Sequence, residues 1–279
     1  MDLMYLCKYR LRRLIMKKKE KKVIYYSDEL NNDFAGTNIK TACIDENFQY
    51  IHDGFLWRIV SFVLYYIVAF PLVWVYEHLI LQVKFVNKSA LKKYRHRSCF
   101  IYGNHTGFYD AFTPNLISFP HKNSIIVGAD TVSIKGLRSI VQMMGAVPLP
   151  DNYQAKKNFL EGLEHLVKKG ENVTVYPEAH IWHYYNGVRP FGEGSFYYPV
   201  KFDTPTFVFF TAYTKPKGLF ACFRKANITV YVSDPIFPDE NLSTQEKITD
   251  LRNKVYAFMV EKSKLSDYEA IKYVRQENK

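Results

Sequence analysis

The stretch SCFIYGNHTGFYD, residues 98–110, joins a short apolar run to a polar cluster and decides the fold prediction. Aromatic and β-branched residues predict a strand at 98–103, and a helix is predicted at 107–118. Further strands are predicted at 124–127, 173–176, 206–212 and 228–232, and further helices at 135–144, 153–169 and 243–263. This alternation indicates an α/β domain, a mixed sheet wrapped by helices, in which active residues follow strand ends.

His105 and Asp110 come directly after the first predicted strand. Two residues five apart on one helix point about 140° away from each other and could not easily meet. They can meet if His105 lies in a loop and Asp110 in the first turn of the next helix, and Gly107 allows such a turn. A carboxylate bonded to one imidazole nitrogen fixes the tautomer and leaves the other nitrogen as a base. We therefore predict a catalytic dyad with His105 as general base.

Charge is distributed unevenly along a chain whose formal net charge is +11. Residues 1–22 carry nine Lys and Arg against two acids, whereas residues 27–53 carry six acids against one lysine. We predict a basic amphipathic arm at 1–22 and a polar, acidic linker at 23–53. Apolar residues alternate with the cations of the arm, which favours an interfacial helix on an anionic membrane surface, not a nucleic-acid contact. A solvated basic tail is the alternative.

Residues 54–86 are the most apolar part of the sequence and are predicted to be membrane-associated helices. No charge occurs from 59 to 76, and a helix of that length spans about 27 Å, close to a bilayer's hydrocarbon thickness. Pro71 should kink or break it. One transmembrane span, a kinked hairpin that returns through 79–83, and a buried soluble helix are the alternatives. Because basic residues flank both ends, we expect the hairpin, in a peripheral or monotopic protein on the cytoplasmic face.

Four blocks, in order, resemble the glycerolipid acyltransferases typified by bacterial lysophosphatidic acid acyltransferase. NHTGFYD at 104–110 resembles that family's Asn-His-x4-Asp block, and VYPEAHIW at 175–182 resembles its Phe-Pro-Glu-Gly-Thr-Arg block. The other two are IKGLRSIVQMMGAVPLPD at 134–151 and RPFGEGSF at 189–196, which precedes an apolar strand. The order of the blocks is far more specific than any single block.

The resemblance implies that residues 87–279 form an O-acyltransferase domain. The implied reaction moves a fatty acyl group from an acyl carrier protein or coenzyme A thioester to the hydroxyl of a lyso-lipid, in phospholipid biosynthesis. The implied acceptor is 1-acylglycerol-3-phosphate or a related lyso-lipid, and no cofactor or metal is implied. Asn104 and Glu178 match the family's motif positions and are expected to bind substrate, with Glu178 shaping the acceptor site.

Two positions depart from the family's pattern. Asp151 and Ile181 stand where the family usually has arginines that hold the acceptor's phosphate. Arg189 is the predicted substitute, because a guanidinium fork suits phosphate. Lys135 and Arg138 are the nearest other cations. Lys135 is alternatively predicted to bind the donor or to stabilise the oxyanion.

Two rival functions stay open from the residues alone. His105, Asp110, Glu178 and His180 could serve a metal-dependent hydrolase, although no cysteine or further ligand lies close to them in sequence. In the acyltransferase reading, His180 is a predicted substrate-binding residue. The second rival is a non-catalytic protein that binds a membrane or nucleic acid through the basic arm.

Overall fold

The computed structural model describes residues 22–35, 40–217 and 225–276 and is built around a seven-stranded sheet. A separate parallel pair is formed by β1 (Lys22–Tyr26) and the last strand, Ile271–Arg275. The strands of the large sheet are β2 (Lys84–Val86), β3 (Phe100–Gly103), β4 (Asn123–Val127), β5 (Ala146–Pro148), β6 (Asn172–Val175), β7 (Thr206–Thr214) and β8 (Asn227–Val232). The strand Ile271–Arg275 is β9. The predicted basic arm lies outside the described residues except for Lys22.

The large sheet has the strand order β2-β8-β7-β3-β6-β4-β5. All neighbours are parallel except β7 and β8, so the predicted mixed sheet is confirmed. β3 lies between β6 and β7, and all four of its residues are buried. A strand covered on both faces needs apolar side chains at every position, which is why 100–103 shows no polar alternation.

Seven α-helices occur in the described ranges. They are α1 (Phe55–Ile80), α2 (Thr113–Ser118), α3 (Ala129–Val132), α4 (Arg138–Met143), α5 (Tyr153–Lys168), α6 (Tyr197–Lys201) and α7 (Thr244–Ser263). Asn152 caps α5 by accepting from the Ala155 N–H at 2.8 Å. α5 and α7 cover one face of the sheet and pack with Phe100 and Tyr102, whereas Ile101 belongs to a second apolar cluster. Successive residues of β3 therefore serve opposite faces.

Most predicted element bounds agree with the structure to within three residues. The exception is the helix predicted at 107–118. A 3₁₀ turn covers Phe108–Ala111, and α2 begins only at Thr113, with Pro114 in its first turn. Proline suits that position because the first helical N–H groups have no intrahelical partner. The short strands β1, β2 and β9 were not predicted.

α1 is continuous from Phe55 to Ile80, so the predicted hairpin with a return through 79–83 is wrong. Pro71 does not break the helix because wider i→i+5 turns at Val63–Ala69 precede it and relieve the contact between its ring and the preceding turn. Among the described residues, α1 alone is long and apolar enough to cross a membrane by length and composition. Only 17% of its most apolar window is buried, so its outer face has no partner in the domain.

The described part of the predicted linker packs against the domain. Ile44 is fully buried, and its backbone N–H donates to Asp151 Oδ2 at 2.6 Å. Further along the surface, Trp182 Nε1 donates to the Asn32 carbonyl oxygen at 2.8 Å. Together with the β1–β9 pairing, these contacts make the segment part of the domain surface. A spacer between separate parts of the chain would not be buried in this way.

Candidate active site

The loop after β3 begins with two tightly packed residues. A Cβ at Gly103 would lie 2.2 Å from the Phe209 ring, so only glycine fits this position. Asn104 is fully buried and exchanges two hydrogen bonds with the backbone of Thr211, at 2.8 and 3.2 Å. The prediction that Asn104 binds substrate is therefore wrong for its side chain. Asn104 holds the start of the loop against β7.

The predicted contact between His105 and Asp110 is confirmed. His105 Nδ1 lies 3.1 Å from Asp110 Oδ2, and the Asp110 side chain is fully buried. The same oxygen accepts the backbone N–H groups of Thr106 at 2.5 Å and Gly107 at 2.8 Å. A carboxylate can only accept, so Nδ1 carries the proton and Nε2 keeps a free lone pair. The His105 side chain is 24% exposed, which leaves the ring accessible to a substrate.

Tyr176 contacts both residues of the dyad and was not predicted from the sequence. Its ring stacks on His105 with centroids 4.5 Å apart, and its hydroxyl donates to the Asp110 carbonyl oxygen. Burial raises the pKa of Tyr176 well above its usual value, so the hydroxyl stays protonated as a donor. Val175 pairs with Tyr102 in parallel register, which brings Tyr176 next to the end of β3. Only the strand order could have revealed this neighbour.

Glu178 and Arg189 form a buried ion pair beneath the loop. Arg189 Nη2 lies 3.4 Å from Glu178 Oε2, and both side chains have no exposed surface. The Glu178 carboxylate also accepts the backbone N–H of Arg189 at 3.1 Å and that of His105 at 3.4 Å. Burial raises the pKa of Glu178 against the opposing effect of Arg189, and burial likewise lowers the pKa of Arg189. Glu178 therefore supports the His105 backbone.

The guanidinium of Arg189 is enclosed in the domain, where both terminal nitrogens donate hydrogen bonds and Nε has no partner among the described residues. It donates to the carbonyl oxygens of His180 and Glu29 and lies 5.0 Å from the Trp182 ring centroid. The prediction that Arg189 holds the acceptor's phosphate is therefore wrong in this structure. A completely buried, paired guanidinium has no surface to offer a ligand, and withdrawing it would leave Glu178 uncompensated.

The comparisons with known proteins agree with this geometry. Residues 82–209, which contain β3, the dyad and Glu178, match the family model described as Acyltransferase. This segment is therefore similar to the family described as Acyltransferase. A crystal structure of the 1-acyl-sn-glycerophosphate acyltransferase PlsC from Thermotoga maritima is similar in fold, with a TM-score of 0.50 and 16% identity. The match covers 77% of this chain and 89% of that one. A search of curated proteins found no match.

One backbone feature of this protein fits the motif in which it occurs. Ala179 has φ +61°, in the left-handed region that favours glycine. The block Phe-Pro-Glu-Gly-Thr-Arg that VYPEAHIW resembles has glycine at this position. The two departures at the family's arginine positions also have structural roles, since Ile181 is buried and Asp151 accepts the Ile44 N–H.

The two other predicted cations lie in the segment after β4. Lys135 and Arg138 are both exposed, and they follow the last residue of β4 by eight and eleven residues. Arg138 Nε donates to the Val132 carbonyl oxygen at 3.2 Å, and its guanidinium carbon lies 6.0 Å from the Phe48 ring centroid. The structure shows no contact of either residue with the dyad.

His180 does not join the dyad. Its Nδ1 lies 3.7 Å from Asp33 Oδ2, and its carbonyl oxygen accepts from Arg189. The four residues proposed for a metal-dependent hydrolase therefore do not converge, because Glu178 is committed to Arg189. In the ranges that the structure describes, no group of three or more His, Cys, Asp and Glu is arranged to hold a metal ion.

Glu77 links α1 to the candidate active site and was also missed from sequence. Thr113, three residues after Asp110, donates to Glu77 Oε1 at 2.9 Å, and Glu77 is fully buried. Burial raises the pKa of Glu77 to about 8, and the charge of Asp110 adds to this effect. The signal in the sequence was a carboxyl group inside an apolar segment. Burying such a group costs free energy unless it has a hydrogen-bond partner. The end of α1 is therefore docked beside the dyad.

Proposed function

We propose that this acyltransferase moves a fatty acyl group from an acyl carrier protein or coenzyme A thioester to the hydroxyl of a lyso-lipid. The proposed acceptor is 1-acylglycerol-3-phosphate or a closely related lyso-lipid. The observation that carries the proposal is the dyad, in which a buried carboxylate orients His105 and leaves Nε2 free. The match of residues 82–209 to the Acyltransferase family model supports the acyl transfer itself.

The reaction that fits this geometry uses His105 as a shuttle for one proton. Nε2 takes the proton of the acceptor hydroxyl while the oxygen attacks the thioester carbonyl carbon. The new C–O bond forms, the C–S bond breaks, and the leaving thiolate takes the proton from the imidazolium. Asp110 stabilises the imidazolium, and general-base catalysis of this kind contributes about 10²- to 10⁴-fold. The sequence contains no Gly-x-Ser-x-Gly nucleophile motif, and this route needs none.

The acceptor's phosphate is proposed to bind Lys135 and Arg138. Arg189 is excluded by its burial, whereas these two cations are exposed in the segment that follows β4. Gly136 between them has φ +79°, so the loop turns tightly and presents both residues from one short segment. Lys supplies a compact charge and Arg a planar fork, and the two together suit a phosphate monoester.

The lipid acceptor is proposed to enter from a membrane surface along α1. The outer face of α1 exposes large apolar side chains, with Phe55 79% and Leu72 65% exposed. The loop and helix that carry Lys135 and Arg138 also expose Ile134, Leu137 and Ile140. Apolar side chains between cations are typical of surfaces that lie in the headgroup region. Because both donor thioesters are cytosolic, we place the domain on the cytoplasmic face.

The test is product identification with a defined substrate panel. Purified full-length protein in detergent is incubated with labelled acyl carrier protein or coenzyme A thioester and with lyso-lipids that carry or lack a phosphate headgroup. The expected result is a mass shift of one acyl chain on a phosphate-bearing acceptor, and its loss in His105→Ala. A loop histidine contributes little to packing, so this variant should stay folded.

A second arm tests the phosphate site. Lys135→Met should raise the KM for the phosphate-bearing acceptor about ten-fold and leave the KM for the donor unchanged. Lys157→Met, an exposed lysine on α5, is the matched control. Acylation that persists in His105→Ala, or water as the only acyl acceptor, would refute the proposed function.

A further inference from the structure

A groove of about 1000 Å³ lies between the first half of α1 and the sheet edge at which β4, β5 and β6 begin. His105 follows the carboxyl end of β3, which is parallel to β6. A strand of four or five residues is about 15 Å long. The groove and the dyad therefore lie on opposite edges of the sheet.

The position of α1 supports this separation. Ser61 on α1 lines the groove, whereas Glu77 on the same helix contacts Thr113 beside the dyad. The helix between Ser61 and Glu77 is about 20 Å long. A small headgroup bound in the groove would not reach His105.

The polar wall of the groove contains more cations than acids. Its cations are Arg58, Lys122 and Lys169, and its one carboxylate is Glu171, which accepts from Ser124 at 2.9 Å. Lys169 is already paired, because its Nζ lies 2.6 Å from Asp53 Oδ1. Two cations are left for a ligand.

Lys122 and Arg58 differ from the other surface cations in their settings. Lys122 Nζ lies 3.2 Å from Ser61 Oγ and 5.7 Å from the Tyr65 ring centroid, and no carboxylate of the described residues lies within ion-pair distance of it. Burial lowers the pKa of Lys122, and the charge of Glu171 opposes this effect. Arg58 is exposed at the mouth of the groove. An anion between them would compensate the half-buried charge of Lys122 more closely than Glu171 does, because no carboxylate of the described residues forms an ion pair with it.

The opposite wall is aromatic and belongs largely to α1. Phe62, Tyr66 and Phe70 project from α1 into the groove, and Phe70 stacks on Phe119 with centroids 4.5 Å apart. This wall continues onto the outer face of α1, where Ile67 is 61% exposed. The groove therefore joins a cationic wall to an apolar surface that is open to the outside.

We propose that this groove binds one anionic phospholipid of the membrane against which α1 lies. The phosphate lies between Lys122 and Arg58, and the acyl chains follow the aromatic wall onto the outer face of α1. A soluble phosphate ester would use the two cations but leave the aromatic wall uncovered, so the two walls together favour a lipid. The site is separate from the acceptor site and does not depend on the acyl-transfer reaction.

The experiment measures binding of dihexanoyl phosphatidylglycerol, an anionic lipid that is not the product of the proposed reaction, to full-length protein in detergent, by native mass spectrometry and titration. Dihexanoyl phosphatidylcholine and glycerol 3-phosphate are the comparison probes. We expect one saturable molecule of the anionic lipid. Lys122→Met should weaken its binding about ten-fold, as expected for loss of a charge-assisted bond. Arg58→Met should weaken it about five-fold, and because no described residue bonds the Arg58 side chain, this variant should fold normally.

Two controls give the result a clear meaning. Lys157→Met removes the same charge from an exposed site on α5 and should change binding less than about two-fold, because distant exposed charges are screened. His105→Ala should bind the lipid as the unmodified protein does, which separates this site from the dyad. The proposal would be overturned if the Lys122 and Arg58 variants bound the lipid as tightly as the unmodified protein does. It would also be overturned if His105→Ala lost lipid binding, or if glycerol 3-phosphate bound as tightly as the lipid.

Discussion

Replacing Asp110 with Asn tests how the dyad works, because it removes a charge and leaves the shape almost unchanged. Asp110 Oδ2 accepts from His105 Nδ1 and from two backbone N–H groups. An Asn oxygen can accept the same backbone groups, so the loop should keep its conformation. Asn carries no charge, however, and cannot stabilise the imidazolium that forms when His105 takes the acceptor's proton.

The expected loss follows from the distance between the two charged groups. An imidazolium and a carboxylate 3.1 Å apart attract by about 5 kcal/mol at an effective dielectric constant of about 20. Solvent reduces this value, because the His105 side chain is 24% exposed while that of Asp110 is buried. About 3–5 kcal/mol of transition-state stabilisation corresponds to a loss of about 10²- to 10⁴-fold in kcat.

The assay follows release of the free thiol from the acyl thioester donor. In Asp110→Asn we expect kcat to fall by this factor with little change in the KM of either substrate, because the charge acts mainly in the transition state. Asp203→Asn is the control. The Asp203 side chain is fully exposed, and its ion pair with Arg97, at 3.9 Å, is much weaker than the contact between Asp110 and His105. A loss below about ten-fold in a variant with unchanged thermal unfolding would refute the electrostatic role of Asp110.

Two predictions concern stability in detergent. Arg189→Met should lower the free energy of unfolding by about 3–5 kcal/mol, because Glu178 stays buried without its partner. Adding Glu178→Gln should recover part of this loss. If the single variant is stable and only the KM for the acceptor rises, Arg189 binds the acceptor's phosphate after all. Glu77→Gln should remove a pH dependence of the free energy of unfolding. The Glu77 pKa is raised from 4.5 to about 8, so ionisation imposes no cost below pH 4.5 and a growing one up to about pH 8. The variant's stability advantage in denaturant titrations should therefore increase across this range, by about 5 kcal/mol. An advantage that does not change with pH would contradict this.

The sequence by itself determined the features that depend on neighbouring residues. The alternation of apolar strands and amphipathic helices predicted the mixed sheet and the two helices, at 153–169 and 243–263, that cover one face of it. His105 and Asp110 could be paired because five residues and one glycine decide their contact locally. The order of four motif blocks was enough to indicate the family.

Only the tertiary structure decided what the other residues do, because their partners are distant in sequence. Arg189 has the chemistry of a phosphate ligand, and nothing local shows that Glu178 and the carbonyl of Glu29 enclose it. Tyr176 reaches His105 only because β6 lies beside β3. Burial and strand order come from the packing of the whole chain. For that reason a residue's type indicates what it can bind, and its position in the fold decides what it does bind.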